Sequence, residues 1–118
     1  EWYLLSAESN YPESQYNIGQ CYSIGLGVQI NYPLAMVWYK KAAENNYTRS
    51  FFKIGFLYHY GMGETINYKE ARKWYIRAAT FGDFKAEFNM GVLYEKGLAV
   101  MKDQNAATVW FSRSARGG

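Results

Sequence analysis

The chain has 118 residues and a formal net charge of +3, a size that one compact unit with its own hydrophobic core can account for. One cysteine, Cys21, and one histidine, His59, exclude an intrachain disulfide and metal clusters built from several thiolates or imidazoles. No apolar run approaches the roughly 18 to 20 residues that a membrane-spanning helix needs. We therefore expect no metal site, no cofactor and no membrane insertion.

The sequence repeats itself every 36 residues without a gap. Tryptophan recurs four times at this interval, glycine occupies two columns and tyrosine a third. The recurring residues are Trp2, Trp38, Trp74 and Trp110; Gly19, Gly55 and Gly91; Gly25, Gly61 and Gly97; and Tyr22, Tyr58 and Tyr94. This spacing predicts three repeats, at 11–46 (repeat 1), 47–82 (repeat 2) and 83–118 (repeat 3), and assigns residues 1–10 to the end of an earlier repeat.

Each repeat opens with a predicted amphipathic helix that ends at a glycine. In repeat 1 its apolar stripe includes Ile18, Cys21 and Tyr22, and both later repeats have equivalents. Gly25 and its equivalents are expected to take the left-handed conformation after the last helical turn. Gly19 and its equivalents lie inside the helix, where glycine costs about 1 kcal/mol relative to alanine. We expect the repeat's tryptophan to pack closely against that bare backbone.

The second helix of each repeat begins after a residue that can cap it. The side-chain oxygens of Asn31, Asn67 and Asp103 can each accept a backbone N–H of the first turn, which predicts helices starting near 32, 68 and 104. Apolar residues then follow helical spacing. In repeat 1 they are Ala35, Trp38, Tyr39, Ala42 and Ala43. Because one helical hairpin cannot cover both of its apolar faces, the repeats must stack on one another. The sequence therefore predicts an all-α solenoid.

The consensus of the three repeats is S/A-x-F/Y-x-I/M-G-x-L-Y-x-x-G-L/M-G-V-x-x-N/D-Y-x-x-A-x-x-W-Y-x-R/K-A-A. This pattern resembles the Sel-1-like repeat (SLR) family, a relative of the tetratricopeptide repeat (TPR) with a longer loop between its helices, and the resemblance spans the whole chain. The departures are local, such as Cys21 in place of a leucine. The resemblance implies a right-handed, TPR-like α-solenoid of antiparallel helix pairs whose first helices build the concave wall. It also implies an adaptor role and favours a periplasmic or secreted location, without deciding the compartment.

Candidate binding residues lie on the first helices, beside the packing stripe, where the repeats differ from one another. Repeat 2 is distinctive because it carries Phe56, His59 and Tyr60 there, and aromatic side chains are common anchors at interfaces. We predict that the concave groove binds a peptide or a partner protein. The predicted binding set is Gln20, Ser23, Arg49, Phe52, Lys53, Phe56, His59, Tyr60, Val92 and Glu95.

Two features of this face allow a structural interpretation as well. The aromatic column Tyr16, Phe52 and Phe88 is better explained as core packing. For Phe56 and Tyr60, a role in the core and a role as anchors for a partner both stay open. Repeat 2 has six basic and two acidic residues, but four of its cations lie on the second helix, where a solvated face is the better explanation. An acidic partner stays open as an alternative.

Other classes of function find little support, and we predict no catalytic residue. Cys21 stands where the other repeats have leucine, which favours a buried side chain over a nucleophile. A reader of nucleic acid would need a basic groove in every repeat, whereas Glu13 and Glu95 lie on this one. The alternative is the repeat region of a larger enzyme, or an SLR protein of the β-lactam-binding type, whose paired cysteines this chain lacks. The uncovered end helices predict flanking repeats or self-association.

Overall fold

The computed structural model describes residues 11–117, and these residues form six α-helices connected by short loops. The helices are α1 (Pro12–Ile24), α2 (Tyr32–Glu44), α3 (Arg49–Tyr60), α4 (Tyr68–Thr80), α5 (Phe84–Lys96) and α6 (Gln104–Gly117). They pair as the hairpins α1–α2, α3–α4 and α5–α6, and neighbouring hairpins join through α2 against α3 and α4 against α5. The fold is an all-α solenoid of stacked helical hairpins. The prediction for residues 1–10 lies outside the described residues.

The second helices begin where the capping residues place them. Asn31, Asn67 and Asp103 each accept a hydrogen bond from the backbone N–H three residues later, over 3.0 to 3.1 Å. The helices start at 32, 68 and 104. Both predictions are confirmed, because a cap depends only on chemistry within the first helical turn.

The first helices end at glycines in the left-handed conformation, as predicted. The φ angles at these three glycines are 65° to 76°. Two residues later the first two loops place Gly27 and Gly63, again with positive φ. In the third loop this position is Ala99, whose φ is 65°. A side chain in this conformation costs about 1 to 2 kcal/mol, because its Cβ crowds the following carbonyl oxygen.

Ala99→Gly is therefore expected to raise the free energy of unfolding by about 1 kcal/mol, since glycine adopts a positive φ without a Cβ penalty. Urea denaturation followed by circular dichroism measures this change. Gly27→Ala is the reverse control: nothing lies within 4 Å of its added Cβ, so a comparable loss would report the backbone alone. A loss of stability in Ala99→Gly would contradict the explanation.

The glycines inside the first helices pack against an aromatic ring, but the ring is not that of the tryptophan. A Cβ built on Gly55 would lie 2.7 Å from Cδ1 of Tyr75, which leaves no room for a side chain. The equivalent pairs are Gly19 with Tyr39 and Gly91 with Phe111. The prediction that tryptophan fills this place was wrong, because the next residue of the helix points inward. Tyr39 and Tyr75 are fully buried.

The tryptophans lie at the edge of the hairpins. Trp38, Trp74 and Trp110 are half-buried. The basic residue three positions later covers each ring, with its cation 4.4 to 5.0 Å from a ring centroid. These residues are Lys41, Arg77 and Arg113. The contact explains why each repeat carries Arg or Lys at this position. In the tyrosine column, Tyr58 is buried, whereas Tyr22 and Tyr94 are half-buried against the core.

Candidate functional site

A cavity of about 290 Å³ lies between the start of α3 and the end of α4. Two further cavities beside α3 form the candidate site. The larger, of about 370 Å³, lies between the N-terminal halves of α3 and α5, with Tyr16 of α1 on its far side. The smaller, of about 200 Å³, lies between the C-terminal half of α3 and the first hairpin. Lys53 lines both. Together they form what we call the α3 trough, bordered along α3 by Arg49, Phe52, Lys53 and Phe56.

Three aromatic rings run along one side of α3. The ring centroids of Phe52 and Phe56 are 5.8 Å apart, and those of Phe56 and Tyr60 are 4.7 Å apart. Residues four positions apart share a helix face, which brings these rings together. Exposure rises along the series, from 9% at Phe52 to 51% at Tyr60, with Phe56 half-buried. Phe52 is therefore largely core, while Phe56 and Tyr60 offer accessible ring surface.

His59 lies beneath this surface, with a side chain that is only 5% exposed. Its Nδ1 is 2.9 Å from the hydroxyl of Tyr75, and the side-chain amide of Asn89 donates to the same oxygen over 3.1 Å. Burial, and then the charge of Lys96, lower the pKa of His59, so a neutral ring can accept the tyrosine proton. Burial also raises the pKa of Tyr75. His59 and Tyr60 stack with centroids 4.2 Å apart, so His59 supports the exposed ring from below.

The residue that occupies the position of His59 in the other repeats depends on whether the second helix carries a buried tyrosine hydroxyl. In repeat 1, Tyr39 donates to Oε1 of Gln20 over 2.6 Å and lies 3.1 Å from the hydroxyl of Ser23. In repeat 3 the tyrosine becomes Phe111, and Glu95 at the matching position is exposed. The variation that suggested a binding face at this position therefore tracks the presence of a buried hydroxyl. The sequence carries a signal for this contact, because repeat 3 has both Phe111 in place of the tyrosine and Glu95 in place of Ser23 or His59.

Three cations converge on the larger cavity. Arg49 and Lys53 come from α3, and Lys85 comes from α5. The one carboxylate in the lining, Asp83, already caps α5 by accepting the backbone N–H groups of Lys85 and Ala86 over 2.9 and 3.3 Å. Burial, and then the charge of Lys85, lower the pKa of Lys53. The lining therefore carries three positive charges against the one negative charge of Asp83, which partly offsets them.

A family model described as the Sel1 repeat matches residues 12–47, 52–83 and 84–118. The chain belongs to the Sel1 repeat family. Proteins built from Sel1 repeats are generally scaffolds for protein interactions. A comparison with curated protein sequences gave no match.

Solved structures of Sel1 repeat proteins superpose closely on this chain. A Sel1 repeat protein from Oxalobacter formigenes is 32% identical, with a TM-score of 0.87 over 99% of this chain and 48% of that one. The protein c5321, a protective antigen present in uropathogenic Escherichia coli strains and displaying an SLR fold, is 34% identical, with a TM-score of 0.94 over 99% of this chain and 25% of that one. This chain therefore spans about half and a quarter of their lengths. The cysteine-rich protein B of Helicobacter pylori is 23% identical, with a TM-score of 0.71 over 99% of this chain and 84% of that one, and supports the fold alone.

The Sel1 repeats bring part of the predicted binding set together and leave part of it apart. Arg49, Phe52, Lys53, Phe56 and Ser23 line the α3 trough. Gln20 is engaged by Tyr39, and the half-buried Val92 and exposed Glu95 of α5 line neither cavity. Lys85, which lay outside the set, occupies the same repeat register as Arg49.

The three residues of the aromatic column Tyr16, Phe52 and Phe88 differ in their burial. Tyr16 and Phe52 are buried, as core packing requires, whereas Phe88 is 52% exposed and contacts Phe111 at a centroid distance of 5.1 Å.

Within residues 11–117, no three His, Cys, Asp or Glu side chains are grouped as metal ligands. None of the helices described in this range combines the length and apolarity that crossing a bilayer requires.

Proposed function

We propose that this chain is a scaffold segment that binds an extended peptide, or an extended segment of a partner protein, in the α3 trough. The observation that carries the proposal is the accessible ring surface of Tyr60 and the half-buried Phe56, next to the smaller cavity, which Phe56 lines. Aromatic side chains next to a concavity are typical anchors for a partner. The proposal assigns no catalytic step to the chain.

The aromatic surface is also held in place before any partner arrives. The ring of Tyr60 rests on His59 at 4.2 Å and against Phe56 at 4.7 Å, and His59 is itself fixed by the hydroxyl of Tyr75. Ordering a side chain on binding costs about 0.5 to 1.5 kcal/mol. Because these contacts already restrict Tyr60, less of that cost remains to be met on association.

Peptides for the test come from selection of a displayed library of random dodecamers against the 118-residue chain. Phe56→Ala/Tyr60→Ala is expected to weaken binding of a selected peptide by about 2 kcal/mol or more, since the partner loses its anchor. Fluorescence polarisation with the labelled peptide measures the affinity. Because Phe56 is half-buried, Tyr60→Ala alone is measured beside the double variant.

The matched control is Val37→Ala/Val109→Ala, which trims two exposed apolar side chains on α2 and α6. This control is expected to leave the affinity unchanged. Circular dichroism verifies that every variant remains helical. Unchanged affinity in the Phe56 and Tyr60 variants, with helicity intact, would contradict the proposal.

A further inference from the structure

We infer that the segment bound in the α3 trough is acidic, and that its Asp or Glu side chains enter the larger cavity to pair with Arg49, Lys53 and Lys85. This inference rests on the proposed function and specifies the chemistry of the partner. It is carried by the convergence of three cations from two different repeats on one cavity of about 370 Å³.

Charge balance within the cavity favours an anionic occupant. Two of the cations come from α3 and the third from α5, so the stacking of hairpins assembles the cluster. Within residues 11–117 the ion pair formed is that of Lys73 with Glu70, on α4, and it involves none of the three. Asp83 is occupied as the cap of α5. Its negative charge offsets one of the three cations, so a carboxylate entering the cavity would meet an excess of positive charge.

The crowding of like charges points the same way. Lys53 is half-buried, and the nearby charge of Lys85 adds to the effect of burial in disfavouring its protonated form. The ammonium group of Lys85 lies 5.3 Å from the ring centroid of Phe52, a position that keeps it over the cavity wall. A bound carboxylate would offset the repulsion between the two lysines, since an opposite charge stabilises both protonated amines.

The other basic residues of repeat 2 do not form such a site. Lys73 is paired with Glu70 over 3.4 Å. Arg77 lies over the adjacent rings of Phe51 and Trp74, at 4.4 and 4.5 Å from their centroids. Lys73 and Arg77 are thus engaged by neighbouring side chains, whereas no ion pair within residues 11–117 involves the three cations of the larger cavity.

The positions of the cations and the aromatic rings along α3 also set the spacing of the bound motif. Lys53 and Tyr60 are seven residues apart, which corresponds to about 10 Å along a helix. An extended peptide covers this distance in about three residues. The expected motif therefore places an acidic residue about three positions from an apolar or aromatic one.

The test uses the peptides selected as above, synthesised with amidated C-termini so that any carboxylate effect comes from side chains. Lys53→Gln/Lys85→Gln is expected to weaken binding about tenfold or more, because charged hydrogen bonds are lost. Lys69→Gln/Lys73→Gln, on exposed positions of α4, makes the same change in net charge and is expected to change binding less than about twofold. Replacing the acidic residues of the peptide by Asn or Gln should reproduce the loss, and should add little in the Lys53/Lys85 variant.

The outcomes separate this inference from the proposed function. Selected peptides that lack acidic residues would overturn the inference. So would peptides that bind Lys53→Gln/Lys85→Gln as tightly as the control Lys69→Gln/Lys73→Gln. If such peptides still lose affinity in Tyr60→Ala, the proposed function stands without it. A selection that yields no binding peptide would contradict both. Because Lys53 is half-buried, Lys85→Gln alone, at an exposed residue, serves as the second variant and is expected to show a smaller loss in the same direction.

Discussion

Tyr75→Ala is expected to lower the free energy of unfolding by about 4 kcal/mol, because replacing a large buried aromatic side chain by alanine costs about 3 to 5 kcal/mol. The side chain of Tyr75 is 0% exposed, and its ring stacks on Phe52 with centroids 5.8 Å apart. Its hydroxyl also joins α3 to α5 through His59 and Asn89. The substitution thus removes packing within one hairpin and a polar link between two hairpins. Urea denaturation followed by circular dichroism measures the loss.

Two variants separate these contributions. Tyr75→Phe keeps the ring and leaves the buried side chains of His59 and Asn89 without their shared partner, which is expected to cost about 1 to 3 kcal/mol. Phe111→Ala changes the equivalent residue of repeat 3, which is half-buried and has no hydroxyl, and should cost about half as much as Tyr75→Ala. An unchanged free energy of unfolding in Tyr75→Phe would contradict the role assigned to the hydroxyl network.

Gly55→Val is expected to lower the free energy of unfolding by about 3 kcal/mol, at the upper end of what overpacking a core costs. A Cβ at this position would lie 2.7 and 2.8 Å from the ring carbons Cδ1 and Cε1 of Tyr75, and 3.2 Å from the carbonyl oxygen of Ala71. The ring cannot move aside freely, because hydrogen bonds hold its hydroxyl on both sides. The same urea titration measures this variant.

The double variant Gly55→Val/Tyr75→Ala is the control for this explanation. Removal of the ring opens the space that valine needs, so the double variant should lose about 1 to 3 kcal/mol less than the sum of the single variants. Any change in helix propensity is the same in both backgrounds and cancels from the comparison. Additive losses would show that the glycine is required for some reason other than contact with Tyr75.

Local chemistry made much of the fold predictable from the sequence. The caps at Asn31, Asn67 and Asp103 and the left-handed Gly25 each depend on interactions within one turn, and helix starts could be placed to the residue. The partner of Gly55 could not be placed in this way. Trp74 and Tyr75 are both large, aromatic and repeated, and only the packing of the two helices decides that the tyrosine points inward.

The candidate site was partly predictable for the same reason. Phe56 and Tyr60 stand out because repeat 2 differs from its neighbours there, and they do carry accessible ring surface. His59 stands out equally, but its side chain is occupied by Tyr75, a contact that comparison of single positions does not reveal. Lys85 joins Arg49 and Lys53 through the stacking of two hairpins, so the cluster emerges only with the tertiary structure.

The measurement that tests the account most directly is a titration of the ¹⁵N-labelled chain with a selected peptide, followed by amide chemical shifts. We expect the largest changes along α3, at Arg49, Lys53 and Tyr60, and at Lys85 across the cavity. The outer residues of α4 and α6, such as Ile76 and Arg113, should change little. Changes concentrated on those outer residues, with α3 unaffected, would contradict recognition through the trough.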